Sequence, residues 1–167
     1  MNHATPMTYR RRTLPCAVSA ALLLAALVSA SARADAPLIE RMNPAGLSKP
    51  AGYSQVVTSR GGRTVYVSGQ GGIGADGKVP EDLAEQTRLM FDKIRLALAA
   101  AGAAPRDVVR MTVYIVDLGR IDPNPVYQGI RDFFPADGKP TSTVVGVSAL
   151  ALPGMKVEIE VVAAVAD

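Results

Sequence analysis

Histidine and cysteine are nearly missing from this sequence of 167 residues, which contains one of each, His3 and Cys16. Both fall in the first 34 residues, and that stretch has the layout of a secretory signal peptide. Arg10, Arg11 and Arg12 form a positive region, residues 14–30 form an apolar run, and Ala30-Ser31-Ala32 and Ala32-Arg33-Ala34 are two small-residue cleavage patterns. A permanent membrane span needs about 20 apolar residues; this run is shorter and is interrupted by Pro15. Cleavage after Ala34 or Ala32 is therefore expected, leaving a periplasmic or secreted protein with no membrane span. Cys16 precedes the apolar core, which argues against a lipid-modified cysteine, and Tyr9-Arg10-Arg11-Arg12 matches a twin-arginine signal only weakly.

The loss of His3 and Cys16 excludes whole classes of chemistry. Structural zinc sites, thiol nucleophiles, Ser-His-Asp triads and two-His-one-carboxylate iron sites each need a residue type that the mature chain lacks. Disulfides are excluded as well, although an exported compartment would permit them. Proton transfer is left to Glu, Asp, Tyr and Lys. A basic surplus is missing too. The full sequence has 18 Lys and Arg against 15 Asp and Glu, but Arg10, Arg11, Arg12 and Arg33 leave with the signal segment, so 14 basic residues face 15 acidic ones. Nucleic acid, which requires clustered positive charge, is not an expected partner. The remaining 133 residues suit one compact domain.

Residues 35–51 read as an irregular lead-in, rich in Pro, Gly and Ala toward its end. Residues 54–59 and 63–69 are β-rich runs separated by Arg60-Gly61-Gly62, which predicts a hairpin, and Asp76-Gly77 predicts a second tight turn. From Glu81 the period becomes helical, with Leu83, Thr87, Met90, Ile94 and Ala97 or Leu98 on one face, acids in the first turn and Gly102 past the end. Residues 108–117 alternate as a strand, with Val109, Met111, Val113 and Ile115 on one face. A second helix is predicted over 123–134 with Asp122 as its N-cap, then strands over 141–148 and 155–166. The order β-β-(β)-α-β-α-β-β is that of an α+β domain with a mixed sheet and both helices on one face. The last strands are apolar on both sides, as in Val161-Val162-Ala163-Ala164, so the uncovered face is expected to pack against other copies of the chain.

Two glycine motifs are decoys. Gly69-Gln70-Gly71-Gly72-Ile73-Gly74 fits the GxGxxG pattern, but a turn and Pro80 follow it, so no helix N-terminus is delivered to a pyrophosphate. Residues 72–78 resemble a P-loop, yet Val79 stands where a magnesium-ligating hydroxyl belongs. Glycines that permit a bulged strand near a ligand or a subunit boundary are the simpler reading. Lys156-Val157-Glu158-Ile159-Glu160 is more informative. Period two sets Glu158 and Glu160 on one face of a strand, and if a neighbouring subunit covers that face, a half-buried carboxylate there is a suitable general base.

Taken together, Ala51-Gly52-Tyr53-Ser54-Gln55, Val67-Ser68-Gly69-Gln70, Glu85-Gln86-Thr87, Val113-Tyr114-Ile115-Val116-Asp117, Asn124 with Tyr127, Phe133-Phe134-Pro135 and Val157-Glu158-Ile159-Glu160 resemble the YjgF/RidA family of reactive-intermediate deaminases. The match runs in order through a single RidA-like domain over residues 52–167. The resemblance implies a chorismate-mutase-like fold, a homotrimer with clefts between subunits, and cofactor-free hydrolysis of imines and enamines such as 2-iminobutanoate or 2-aminoacrylate. It further implies that Glu158 orients or deprotonates the attacking water, and that Tyr53, Ser68, Gly69, Asn124, Ser142 and Thr143 line the substrate site. In the deaminating branch the position of Ser142 carries an arginine, and that of Val144 often a cysteine. A neutral hydroxyl in place of a guanidinium forfeits charge-assisted grip on a carboxylate, so a substrate without a carboxylate is admitted. The alternative to a hydrolase is a trimer that binds a small molecule or protects other proteins in the same cleft without turnover. A ribonuclease activity is disfavoured by the acidic balance.

Overall fold

The structure, a computed structural model, describes residues 38–167; the expected signal peptide lies outside the described residues. The described residues form one compact unit. Its larger helix, α1 (Leu83–Ala100), begins where the Asp82 carboxylate accepts the Glu85 N–H at 3.0 Å, satisfying a donor that no helical carbonyl can reach. The predicted face is the buried one: Met90, Ile94 and Leu98 are fully enclosed beside Gln86, Thr87 and Phe91. Burial of each large apolar side chain favours folding by about 1.5–3 kcal/mol. The shorter helix, α2 (Asn124–Phe133), has Pro123 and not Asp122 as its N-cap; Asp122 stands one residue further out, and its Oδ1 accepts the Asn124 N–H at 3.0 Å. It buries Val126, Ile130 and Phe133. The chain's three phenylalanines meet between the helices, Phe91 stacked on Phe133 at 4.7 Å and Phe134 edge-on to Phe133 at 5.0 Å.

Six strands complete the unit: β1 (Ile39–Met42), β2 (Val56–Ser59), β3 (Arg63–Gly71), β4 (Val108–Val116), β5 (Thr141–Val147) and β6 (Val157–Val165). Four of them form a mixed sheet in the order β3-β6-β4-β5, in which β4 and β5 are parallel and the other neighbours antiparallel. The helix-covered face carries Val65, Val67, Met111, Val113, Ile115, Val157, Ile159 and Val161, all buried in the same core as α1 and α2. The other face has no layer over it within the described chain, and it presents Tyr66, Arg110, Tyr114, Glu158 and Glu160.

Three further expectations are corrected. The lead-in over 35–51 is not wholly irregular: β1 pairs antiparallel with β2, Ile39 opposite Ser59 and Met42 opposite Val56. No hairpin turn marks this pairing, because thirteen residues separate the two strands. What holds β1 is Arg41, which donates to the carbonyls of Lys139 (3.2 Å), Arg106 (2.6 Å) and Val108 (3.1 Å). The predicted β2–β3 hairpin does not form either. β2 pairs with β1 and β3 with β6, since the turn at Gly61-Gly62, both at positive φ, redirects the chain toward the long apolar β6. Finally, a register shift between Val108 and Arg110 puts Val108 in the core and leaves Val109 half-buried, so Val109 does not share the face of Met111.

Candidate functional site

On the uncovered face, β3 pairs Val67 with Val161 and then Gln70 with Ile159, so three steps along β3 match two along β6. That bulge spans Ser68 and Gly69, and it brings Gly69 against Glu158. A Cβ on Gly69 would lie 2.8 Å from Cδ and 3.2 Å from Cγ of Glu158 and would overlap its carboxylate oxygen. The glycine lets Glu158 keep this position, since any side chain there would make the carboxylate swing aside, and the GxGxxG pattern marks a carboxylate seat instead of a phosphate cradle. Tyr114 faces Glu158 across β4, and its hydroxyl donates to Glu160 Oε1 at 3.3 Å. Partial burial first, and the neighbouring Glu160 second, raise the Tyr114 phenol above its ordinary range. Glu158 itself is half-buried, and among the described residues no side-chain hydrogen bond or ion pair engages it.

A second group of residues forms a cleft of about 360 Å³ on the opposite side, where α2 and the lead-in meet the edge of the sheet. Tyr53, Met111, Tyr127, Arg131, Ser142 and Val144 contribute to its walls. Tyr53 is placed by its neighbour: the Ser54 N–H donates to the Pro140 carbonyl (2.8 Å) and Ser54 Oγ to the Lys139 carbonyl (2.7 Å). Lys139 Nζ reaches back to the Ala51 carbonyl. These bonds bind the lead-in to the start of β5, so Tyr53 and Ser142 share one wall.

The predicted site residues therefore divide between two faces of one sheet. Ser68, Gly69 and Glu158 belong to the uncovered face, Tyr53 and Ser142 to the cleft. Thr143 pairs with Thr112 on the uncovered face, one pleat step from Ser142, and does not line the cleft with it. Thr141 bonds the Val109 carbonyl at 3.1 Å and helps hold β5 to β4. Asn124 is exposed at the first turn of α2, one turn before Tyr127, and does not line the cleft. Sequence reasoning omitted Arg131 from the site. Its signal was helical spacing, because Tyr127, Ile130 and Arg131 stand at i, i+3 and i+4 and so share one side of a helix. Among the described residues no group of three or more His, Cys, Asp or Glu side chains could hold a metal, and no helix is long and apolar enough to cross a membrane.

This combination of fold and motif order has relatives. Residues 45–165 match the protein family described as Endoribonuclease L-PSP. The chain is a member of this family, the YjgF/RidA family. The RutC family protein YjgH of Escherichia coli (strain K12) is 35% identical over 119 residues, covering 69% of this chain and 84% of YjgH. The crystal structure of YyfB, a Rid-family protein of Yersinia pestis, superimposes with a TM-score of 0.72 at 31% identity, over 77% of this chain and 100% of that one. The crystal structure of E. coli TdcF with bound serine has a TM-score of 0.56 at 30% identity, over 78% of this chain and 100% of TdcF. TdcF carries the name "Putative reactive intermediate deaminase". The mixed sheet with two helices on one face is thus the YjgF/RidA fold.

Proposed function

We propose that this family member is a hydrolase that converts a small imine or enamine and water into a carbonyl compound and ammonia, with Glu158 as its catalytic residue. The observation that carries the proposal is the seat of Glu158: a half-buried carboxylate, without a partner among the described residues, held beside a glycine that leaves room for nothing larger. A carboxylate placed in this way is available to take a proton from water. The water oxygen bonds to the C=N carbon as its proton passes to Glu158. The π electrons move to nitrogen, which takes up a proton and gives a carbinolamine. Glu158 returns its proton to the nitrogen, the C–N bond breaks as C=O forms, and ammonia leaves with the hydroxyl proton released.

The site needs a second copy of the chain. In one copy, Glu158 and the cleft containing Tyr53 and Ser142 lie on opposite faces of the same sheet, so one substrate cannot reach both. Packing the uncovered face of one subunit against the cleft side of the next would bring the two groups together. We take the assembly to be a homotrimer, in line with the family resemblance, and the protein to act outside the cytoplasm, in line with the apolar run over 14–30. TdcF, a relative whose crystal holds serine, supports a small amino-acid-like ligand.

The test supplies the purified mature protein with 2-iminobutanoate generated in situ and measures 2-oxobutanoate released. Wild type is expected to accelerate release, and Glu158→Gln to reduce the catalysed rate by about 10²–10⁴-fold. Turnover unchanged in Glu158→Gln would remove the mechanism. No turnover in wild type would favour the non-catalytic binding reading. Light scattering checks the assembly, and a monomer at micromolar concentration would contradict the shared site.

A further inference from the structure

We propose that Arg131 is the specificity-determining residue of the cleft and selects ligands that carry a small anionic group, such as a carboxylate. Of the residues that line the cleft, Arg131 alone is charged; Tyr53, Tyr127 and Ser142 offer hydroxyls, and Met111, Val144 and Ile130 are apolar. No carboxylate lines the cleft to neutralise it, and Arg131 forms no ion pair among the described residues. Its one side-chain partner there is neutral: Nη2 donates to Gln128 Oε1 at 2.7 Å. Gln128 is oriented in turn by donating Nε2 to Asp132 Oδ1 at 2.7 Å. The amide thus separates the guanidinium from the nearest acid on its helix, orients one edge of the fork, and leaves most of its N–H donors free.

Arg131 also lies in the last turn of α2, where a cation is favoured by the helix dipole. That role is open to any basic residue and does not require a cleft. The planar fork matters for ligand choice, because guanidinium binds carboxylate through paired N–H donors while a hydroxyl such as that of Ser142 cannot. The charge missing from β5 is therefore supplied across the same cleft from α2. An imine or enamine substrate that carries a carboxylate is the consequence, which rests on the hydrolase reading; anion selection by the cleft does not.

The experiment compares equilibrium binding of 2-oxobutanoate with that of its neutral amide, 2-oxobutanamide, followed by NMR titration of the assembled protein. Four proteins are used: wild type, Arg131→Gln, Arg131→Lys and Arg95→Gln. Wild type should prefer the acid by about tenfold or more. Arg131→Gln should erase that preference with amide binding retained, and Arg131→Lys should keep part of it. Arg95→Gln removes the same charge from α1, outside the cleft, and should leave the preference intact. The proposal is overturned if wild type shows no preference for the acid, if Arg131→Gln preserves the preference, or if Arg95→Gln lowers it equally. Imine turnover is measured on the same samples. Loss of acid preference in Arg131→Gln without any wild-type turnover would sink the hydrolase reading and leave the anion site standing; turnover with preference unaffected by Arg131→Gln would do the reverse.

Discussion

Replacing Gly69 by alanine should separate activity from stability. The backbone at Gly69 lies outside the positive-φ region, so alanine can adopt it, and the unfolded chain loses some freedom, a gain of about 0.4–1 kcal/mol. The new Cβ would overlap the end of Glu158, whose Cδ lies 2.8 Å away. A carboxylate on a flexible stem can swing aside, at an off-rotamer cost of about 0.5–1.5 kcal/mol. These contributions nearly cancel, so stability should change by less than about 1 kcal/mol. The carboxylate, however, is displaced by about 1 Å, and misplacement of that size costs about 100-fold in rate. Gly72→Ala is the control. Its Cβ would meet the Cα and carbonyl oxygen of Gln86, backbone of α1 that cannot swing aside, and overpacking of this kind costs about 1–3 kcal/mol. Urea denaturation and 2-oxobutanoate release on the same three proteins check both halves. Gly69→Ala with wild-type turnover, or with a stability loss equal to that of Gly72→Ala, would refute the view that Gly69 exists to seat Glu158.

Other perturbations test the framework around the site. Gln86 is fully buried and joins three segments, donating to the carbonyls of Pro80 (2.7 Å) and Gly154 (2.9 Å) and accepting the Lys156 N–H (2.8 Å). Gln86→Leu strands those three backbone groups and should cost about 3 kcal/mol or more by urea denaturation; a loss below about 1 kcal/mol would show that water replaces them. Arg41→Ala should cost about 1–2 kcal/mol and speed amide exchange in β1 and β2, because its carbonyl bonds are what hold that ribbon to the β4 side of the domain. Unchanged exchange would assign the ribbon's stability elsewhere. Tyr114 should titrate above the ordinary phenol value of 10.0, seen as the difference in absorbance near 295 nm between wild type and Tyr114→Phe, with Glu160→Gln moving it back toward that value. Its folded pKa is raised, so the stability it contributes is complete below the unfolded value and is lost as pH rises through the folded one. Titration at or below 10.0 would contradict that arrangement.

Much of the fold was legible in the sequence because local patterns and tertiary burial agree. The α1 face from Leu83 to Leu98 and the alternations from Met111 to Ile115 in β4 and from Val157 to Val161 in β6 are dictated by which residues prefer to leave water, and the core uses them as written. β1 was not legible, since residues 39–42 mix two charged side chains with two apolar ones and pair with a segment thirteen residues away. Its stability comes from the remote carbonyls that Arg41 reaches, which no local pattern encodes. The hairpin expected at Arg60-Gly61-Gly62 failed for a related reason: glycines allow a turn without choosing which strand the chain pairs with next. Arg131 was overlooked because a surface arginine near a helix end is ordinary until the opposite wall is known.

By itself the sequence determined the chemical means of this protein. Residues 35–167 contain no histidine and no cysteine, so a site built from them is left to carboxylates, hydroxyls, amides, amines and guanidinium groups, and residue type is a property that folding does not alter. It also determined that Glu158 and Glu160 share one face of β6, because period two is a local consequence of the extended chain. Tertiary structure alone decided where those means are placed. The pleat sends Ser142 toward α2 and Thr143 to the uncovered face, and Ser54 pins Tyr53 beside Ser142. It likewise put Arg131 across the cleft from a strand that carries no charge of its own. Such placements depend on what packs over each face, and that is settled only when segments distant in the chain meet.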